Sequence, residues 1–172
     1  SKILNLFENN FNAKTDTELR NFIIQEKAKD IARAISHKQV VIYSEFKDEA
    51  VAIRTRQQFN ENAKVLCWHH TFPEMNHNEL VGWAGGNKNA AVLLIDPENW
   101  TTQNLKRLKY SLEVFESYTE TVIKINSPVQ ERFKRELYIL HLVDWISFYM
   151  SEYRKVDPVE IDIIVGLKES IV

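Results

Sequence analysis

The sequence predicts an α/β fold, a three-layer sandwich around a parallel sheet of four or five strands with long helices toward the C-terminus. Three observations lead there. Four short runs rich in β-branched and aliphatic residues, at 39–43, 64–68, 91–95 and 121–125, recur along the chain. They are apolar on both faces, as strands buried between two helical layers are. Segments of helical periodicity separate them, and strand–helix alternation at this spacing gives right-handed crossovers. Finally, 172 residues of which 44% are hydrophobic and 27% charged make one globular domain, able to bury about 70% of its unfolded surface.

The elements follow in order. Residues 18–35 place Leu19, Phe22, Ile23, Ala28, Ile31, Ala32 and Ile35 largely on one helical face, with Thr15, Asp16 and Thr17 as N-cap candidates. Residues 1–27 thus combine a linker with this leading helix. After the first strand, the turn Ser44-Glu45-Phe46-Lys47-Asp48 enters a helix through Asn62 that packs with Ala50, Ile53 and Phe59. The second strand is followed by a polar loop from His69 to Met75 and a short helix over 76–83, which Gly85-Gly86-Asn87 breaks. Residues 105–118 form the next amphipathic helix. Ser127-Pro128-Val129-Gln130 combines a capping serine, a first-turn proline and a glutamine that completes a capping box, which predicts a long helix to Tyr153. Asp157-Pro158-Val159-Glu160 repeats that pattern and launches a terminal helix. No repeat or low-complexity linker divides the chain, so it reads as a single domain over 1–172.

Composition excludes several function classes. With 22 Lys+Arg against 24 Asp+Glu the net charge is −2, so no chain-wide basic field draws nucleic acid. Cys67 is the only cysteine, which excludes an intrachain disulfide framework and multi-thiolate metal sites and fits a reducing, cytoplasmic setting. The most apolar stretch, 137–150, is interrupted by His141, Asp144 and Ser147 and falls short of a membrane span. The start lacks both a signal-like core and an initiator methionine, as a processed or truncated chain would.

Polar residues concentrate in two segments, 54–64 and 73–79. The first closes a helix just before a strand; the second follows that strand. Ligands in open α/β sheets gather beyond the carboxyl ends of strands, so the loop carrying His77 is placed for one, whereas Glu61 belongs to the opposite edge unless a second domain or subunit shares its pocket. An exposed histidine in a capping box is the plainer reading of Asn76-His77-Asn78-Glu79. Glu61 stands near a helix C-terminus, where the macrodipole disfavours an anion and so favours a general base, an effect that the charges of Arg54 and Lys64 oppose. Other groups offer less. His69 and His70, adjacent on a strand, point to opposite faces and lack a third metal ligand. His141 and Asp144 share a helical face at i, i+3 and fit either an oriented imidazole or a polar pair in a packed interface. Neither a glycine-rich dinucleotide fingerprint nor a Walker sequence occurs. Cys67, Trp83 and Trp145 read as packing.

Asn60-Glu61-Asn62-Ala63-Lys64 together with Pro73-Glu74-Met75-Asn76-His77-Asn78-Glu79 and Gly82-Trp83 resembles the bifunctional phosphoglucose/phosphomannose isomerase family, in its C-terminal sugar isomerase (SIS) domain. Ala52, Arg54 and Gln58, Asp144-Trp145 with Ser147, and Val156-Asp157-Pro158 followed by Leu167-Lys168 support it, so the resemblance covers nearly all of the chain after Ala28. It implies an SIS-like fold, a missing N-terminal SIS half, and an active site between the two halves completed across a homodimer. By motif position Glu61 matches the base that moves a proton between C1 and C2 through an enediol. His77 matches the histidine that opens the sugar ring from the neighbouring subunit, and Lys168 a lysine beside the substrate. Arg54, Asn60, Asn76 and Asn78 are the substrate-binding candidates in the same motifs.

The resemblance therefore implies the C-terminal half of an aldose–ketose isomerase acting on glucose 6-phosphate and fructose 6-phosphate, with mannose 6-phosphate as a further candidate substrate. It implies no metal, no cofactor, no nucleic acid and no membrane as partner. Three positions depart from the family pattern: Ser44-Glu45-Phe46 stands where a phosphate loop would form, with Glu45 repelling a dianion; Val143 replaces a usual glycine; and Val159-Glu160 replaces threonine-proline. These departures keep open a second expectation, a non-catalytic sugar-phosphate-binding or dimerisation module.

Overall fold

The computed structural model describes residues 15–96 and 100–171. The linker expected before Thr15 lies outside them. Helix α1 (Thr15–Ile35) leads into strand β1 (Gln39–Glu45), and a single 3-10 turn, Phe46–Asp48, opens helix α2 (Glu49–Ala63). Strand β2 (Trp68–Phe72) is followed by a 3-10 turn at Glu74–His77, the short helix α3 (Glu79–Gly82) and another 3-10 turn at Trp83–Gly85. Then come β3 (Ala90–Ile95), α4 (Thr102–Tyr118), β4 (Val122–Ile125), α5 (Arg132–Arg154) and α6 (Asp162–Ser170).

The four strands make one parallel sheet in the order β2-β1-β3-β4. Val41 of β1 sits between Trp68 of β2 and Val92 of β3. β1 and β3 are central and almost wholly buried, which is why both of their faces are apolar. On one face Val40, Ile42, Ala91, Leu93 and Ile95 meet α1, α2 and α5 through Ala28, Ile35, Phe59, Leu142 and Ile146. On the other, Val41, Tyr43, Val92 and Leu94 meet Phe72, Met75, Trp83, Leu108 and Phe115. Tyr43 stacks on Phe115 with ring centroids 5.0 Å apart. Helices on both faces give the expected three-layer sandwich, with four strands.

The second strand is displaced from its expected place at 64–68. Helix α2 ends with Lys64 in the left-handed region (φ 54°) and Val65 N–H bonding back to Phe59 O at 3.2 Å, a Schellman-type close. Val65 and Cys67 are buried and Leu66 is exposed, so the segment alternates like a strand while its backbone finishes a helix. The ladder begins only at Trp68, in the polar run Trp68-His69-His70-Thr71-Phe72, which an edge strand tolerates.

Both proline-marked helix starts are also displaced. Ser127 Oγ accepts from Val129 N at 3.0 Å, and Asp157 Oδ1 accepts from Val159 N at 2.8 Å. These bonds to the second following amide build local turns, so α5 begins only at Arg132 and α6 only at Asp162. The short helix expected over 76–83 is instead broken into 3-10 and α turns.

Helix α5 packs against both α1 and α2, and its last residue ties their ends together. Arg154 Nε donates to Ala63 O at 2.9 Å, one terminal nitrogen to Ser36 O at 2.8 Å and the other to Lys64 O at 3.5 Å. One cation thereby satisfies carbonyls at the C-termini of two other helices, where the macrodipole favours positive charge. Arg154→Ala should cost about 2–3 kcal/mol of unfolding free energy, read as a lower urea midpoint. A midpoint equal to wild type would show that these three bonds contribute nothing net.

Candidate active site

The last turns of α2 carry Gln58, Asn60, Glu61 and Asn62, and helical geometry sorts them. Gln58 and Asn62, four apart, face α5: Gln58 Nε2 donates to Asp144 Oδ1, and Asn62 Nδ2 to Ser147 Oγ at 2.9 Å. Asn60 faces the other way, and its Oδ1 accepts from Cys67 N at 3.2 Å, fixing the loop that leads to β2. Glu61 lies between these two anchoring rows and is exposed. The asparagines on either side hold the helix end that aims its carboxylate outward.

Glu61 borders a hollow of about 410 Å³. One wall is polar and comes from α2: Arg56, Gln57, Asn60, Glu61 and Lys64. The opposite wall is apolar and comes from the start of α6 and the residues before it: Glu160, Ile161, Ile163 and Ile164. Lys64 ties the walls together, its Nζ donating to Glu61 O at 2.6 Å and to Glu160 O at 2.7 Å. Lys168 lies one turn beyond Ile164 on α6 and is exposed. A carboxylate facing an apolar wall, with cations beside it, suits proton transfer at carbon in a polar, anionic substrate.

His77 lies elsewhere. It ends the 3-10 turn after β2, at the opposite end of that strand from Glu61, roughly 15 Å away for five residues at about 3.3 Å each. His77 and Asn78 are exposed, while the turn itself is fixed: Met75 is fully buried and Asn76 Nδ2 donates to Ser111 Oγ at 2.9 Å. On the far side Glu79 is the anchor. Its Oε1 accepts from Tyr43 Oη and, at 3.1 Å, from Trp68 Nε1, while its Oε2 lies 2.9 Å from His70 Nδ1. Tyr43 Oη in turn accepts from Trp83 Nε1 at 3.0 Å. Burial, then the bond to Glu79, pushes the Tyr43 pKa upward, so the phenol stays a donor. Glu79 belongs to the recognised motif, yet its anchoring role was not legible: its partners lie on two strands, up to 36 residues away.

The structure therefore brings Glu61 and Asn60 into one hollow and leaves His77, Asn76 and Asn78 at another edge. Arg54 is exposed and does not line the hollow; Arg56, two residues on, does. The crevice at the topological switch between β1 and β3 is filled by the chain's own charges. Glu45 is buried, 2.7 Å from Lys47 Nζ, and accepts from Asn104 Nδ2 at 2.9 Å; Asp48 and Arg135, both buried, pair at 3.3 Å. His141 meets the edge of Trp145, and Asp144 is taken by Gln58, so the i, i+3 pair is not formed. His69 and His70 do face opposite ways, toward Glu49 and Glu79. Burial pushes the Cys67 thiol up to about 12, which leaves it unreactive. Among the described residues no group of three or more His, Cys, Asp or Glu side chains could hold a metal ion, and no helix is long and apolar enough to cross a membrane.

Residues 24–171 match the model of the bacterial phospho-glucose isomerase C-terminal SIS domain. Over 178 residues the chain is 30% identical to a bifunctional phosphoglucose/phosphomannose isomerase of Aquifex aeolicus, covering 99% of this chain and 55% of that protein. A protein of the same name from Thermoplasma acidophilum is 29% identical over 132 residues, covering 76% of this chain and 41% of its own length. The chain thus spans about half the length of the curated relatives it matches. Among solved structures, a glucose-6-phosphate isomerase like protein from Thermus thermophilus superposes with a TM-score of 0.65 at 19% identity, covering 83% of this chain and 46% of that one. The C-terminal domain of glucosamine-fructose-6-phosphate aminotransferase from Francisella tularensis gives 0.63 at 14% identity, covering 86% and 47%. These last two likenesses concern the fold.

Two measurements test this geometry. Glu79→Gln leaves one acceptor oxygen for three donors, so it should cost about 1–3 kcal/mol and speed amide exchange in residues 74–85 while β1 and β3 stay protected; unchanged exchange in that segment would contradict the anchoring role. His69 is held below its ordinary pKa of 6.5, chiefly by burial and next by the charge of Arg56, against the opposing pull of Glu49. The unfolded chain then takes up a proton first as pH falls. Stability should drop as pH goes below 6.5 and level off beneath the pKa His69 has in the fold. Urea midpoints across that range should fall less in His69→Gln than in wild type.

Proposed function

The chain belongs to the bacterial phospho-glucose isomerase C-terminal SIS domain family, and on that premise we propose that it is the C-terminal half of an aldose–ketose isomerase for hexose 6-phosphates. Glucose 6-phosphate and fructose 6-phosphate are the proposed pair, with mannose 6-phosphate entering through the same enediol. The observation that carries this reading is the exposed Glu61 carboxylate at the rim of a hollow, held by neighbours whose own polar groups are spent on α5 and on the loop to β2.

In the proposed mechanism Glu61 takes the proton from C2 of the open-chain aldose. The C–H electron pair becomes the C1=C2 bond, and the carbonyl electrons move to O1. The O2 proton passes to O1, and as the O2 electrons form the C2=O2 carbonyl the same carboxyl returns its proton to C1, which leaves the ketose. His77 exchanges the ring-oxygen proton that opens the pyranose, a task suited to an imidazole near neutral pH. Lys168 steadies the negative charge of the substrate. Arg54, Asn76 and Asn78 are proposed as substrate contacts from the motif. The carboxamide of Asn60 is engaged by Cys67, so its contact with substrate would use its Nδ2.

Glu61 and His77 sit at opposite ends of β2 and cannot serve one hexose within one chain. We therefore assign His77 to the site of a second copy in a homodimer, and the phosphate to a preceding SIS half in the native protein. The exposed apolar residues of α6 suit burial in such an assembly: Ile163 is 88% exposed and Leu167 61%. A cytoplasmic location goes with this reading, since Cys67 is a free, buried thiol.

The native protein should convert fructose 6-phosphate to glucose 6-phosphate, and Glu61→Gln should abolish exchange of the C1 proton with deuterated water while leaving the melting temperature near wild type. Undiminished exchange would reject the assignment. Melting shifts with fructose 6-phosphate but no turnover, indifferent to Glu61→Gln, would instead mark a binding module. Co-expressed Glu61→Gln and His77→Ala chains should recover about a quarter of wild-type activity, because random pairing leaves one intact composite site in half of the dimers. No recovery would place both groups in one chain's site or exclude His77.

A further inference from the structure

A second hollow lies on the other face of the sheet, near the amino ends of β1 and β3, and none of the residues of the proposed reaction lines it. It encloses about 340 Å³, within the range of small-molecule pockets. Val41 and Tyr43 line it from β1, Trp68 from β2 and Trp83 from the turn after α3. Packing behind these walls holds them in place. Tyr43 is fully buried with its ring stacked on Phe115, Trp83 lies 5.1 Å from Phe115, and Trp83 Nε1 donates to Tyr43 Oη at 3.0 Å. The pocket is therefore preformed, which lowers the ordering cost of filling it.

Charge decides what fits. Glu79 is the single charged residue in the lining, and neither Lys nor Arg is among the lining residues. The two exposed carboxamides at the edge, Gln39 and Asn87, bond to each other at 2.8 Å. A carboxylate has about four acceptor directions. Glu79 Oε1 uses two on Tyr43 Oη and Trp68 Nε1, and Oε2 uses one on His70 Nδ1, so one direction on Oε2 is left. With 24% of its side chain exposed, Glu79 can be reached there. Tyr43 and Trp68 are neutral donors, which hold the carboxylate without cancelling its charge. Trp68, 38% exposed, adds the negative potential of an indole face. An anion would meet Glu79, and a wholly apolar ligand would strip water from the carboxylate without replacing it.

We propose that this hollow binds a small organic amine, its ammonium group donating to Glu79 Oε2 beside the Trp68 ring while its apolar body lies against Val41 and Ala90. The site is distinct from the Glu61 hollow and does not rest on the isomerase reading. It also gives the carboxylate that anchors the His77 turn a fourth partner, so a bound amine should slow amide exchange in residues 79–86.

The test is calorimetry of the native protein near neutral pH with phenethylamine, 2-phenylethanol and phenylacetate, three ligands of one shape and different charge, which probe the carboxylate without altering it. Phenethylamine should bind one per chain with Kd on the order of 1 mM or tighter. The alcohol should bind at least about tenfold more weakly, and phenylacetate not at all. Gly82 and Gly85 line the hollow and have open space where a Cβ would stand. Gly82→Leu and Gly85→Leu should thus melt near wild type, and at least one should weaken phenethylamine about tenfold or more by occupying its place. Trp68→Leu should weaken it by about threefold or more, and Glu61→Gln should leave it unchanged. Equal affinity for the amine and the alcohol overturns the ammonium contact. Absence of phenethylamine binding, binding that neither leucine variant weakens, or binding lost in Glu61→Gln overturns the site itself.

Discussion

The place where α2 ends governs the rest of the site, and that place is fixed from outside the helix. Arg154, the last residue of α5, reaches the carbonyls of Ser36, Ala63 and Lys64. Helix C-termini carry carbonyls with no partner of their own, and leaving several of them buried beside one another would be costly. One guanidinium satisfies them and places the ends of α1 and α2 at fixed distances from α5. Lys64 then takes its left-handed conformation, the chain turns toward β2, and the side chain of Lys64 is free to hold the segment before α6. The hollow beside Glu61 is what remains between these constrained parts.

Polar residues in this protein divide by whether their hydrogen-bonding capacity is consumed. Gln58, Asn60, Asn62 and Asn76 each give at least one bond to a partner in the fold, and Glu79 gathers three donors on one carboxylate. Groups so engaged position backbone; they have little left for a ligand. Glu61 and His77 are exposed residues of the same segments whose side chains are not so engaged, as are Arg54, Gln57, Glu74 and Asn78. The distinction is physical, since a buried donor or acceptor must be paired inside the protein, whereas a group at a rim can exchange water for substrate at little cost.

An isolated α/β sheet of this kind normally receives ligand beyond the carboxyl ends of its central strands. Here that crevice is packed with Glu45, Lys47, Asp48, Asn104 and Arg135. Buried pairs of this sort contribute modestly to stability because desolvation offsets much of their attraction. Their larger effect is exclusion: an anionic ligand meets two buried carboxylates. The exposed carboxylate lies instead at the amino edge, beside an apolar helix whose residues are all exposed. A hollow of that construction gains depth and dryness only from another body placed against α6.

The two central strands, the helical layers and the family were legible in the amino-acid order, because runs such as Ala91 to Ile95 can be buried only between two layers and because Glu61 and His77 stand in contiguous motifs. The edge strand was not: its polar residues lack a burial pattern, while the neighbouring Val65-Leu66-Cys67 alternates like a strand and in fact closes a helix. Nor were the helix starts near Pro128 and Pro158, since a serine or aspartate can bond the second following amide as readily as cap a helix, and local sequence does not choose between them. Tertiary structure alone decided that Arg56 rather than Arg54 lines the hollow, that Glu79 anchors the His77 turn, and that Glu61 and His77 are separated by the length of β2. Those relations depend on groups distant in the sequence, Lys64 and Glu160 across the hollow being 96 residues apart, and distance along a chain carries no record of distance in space.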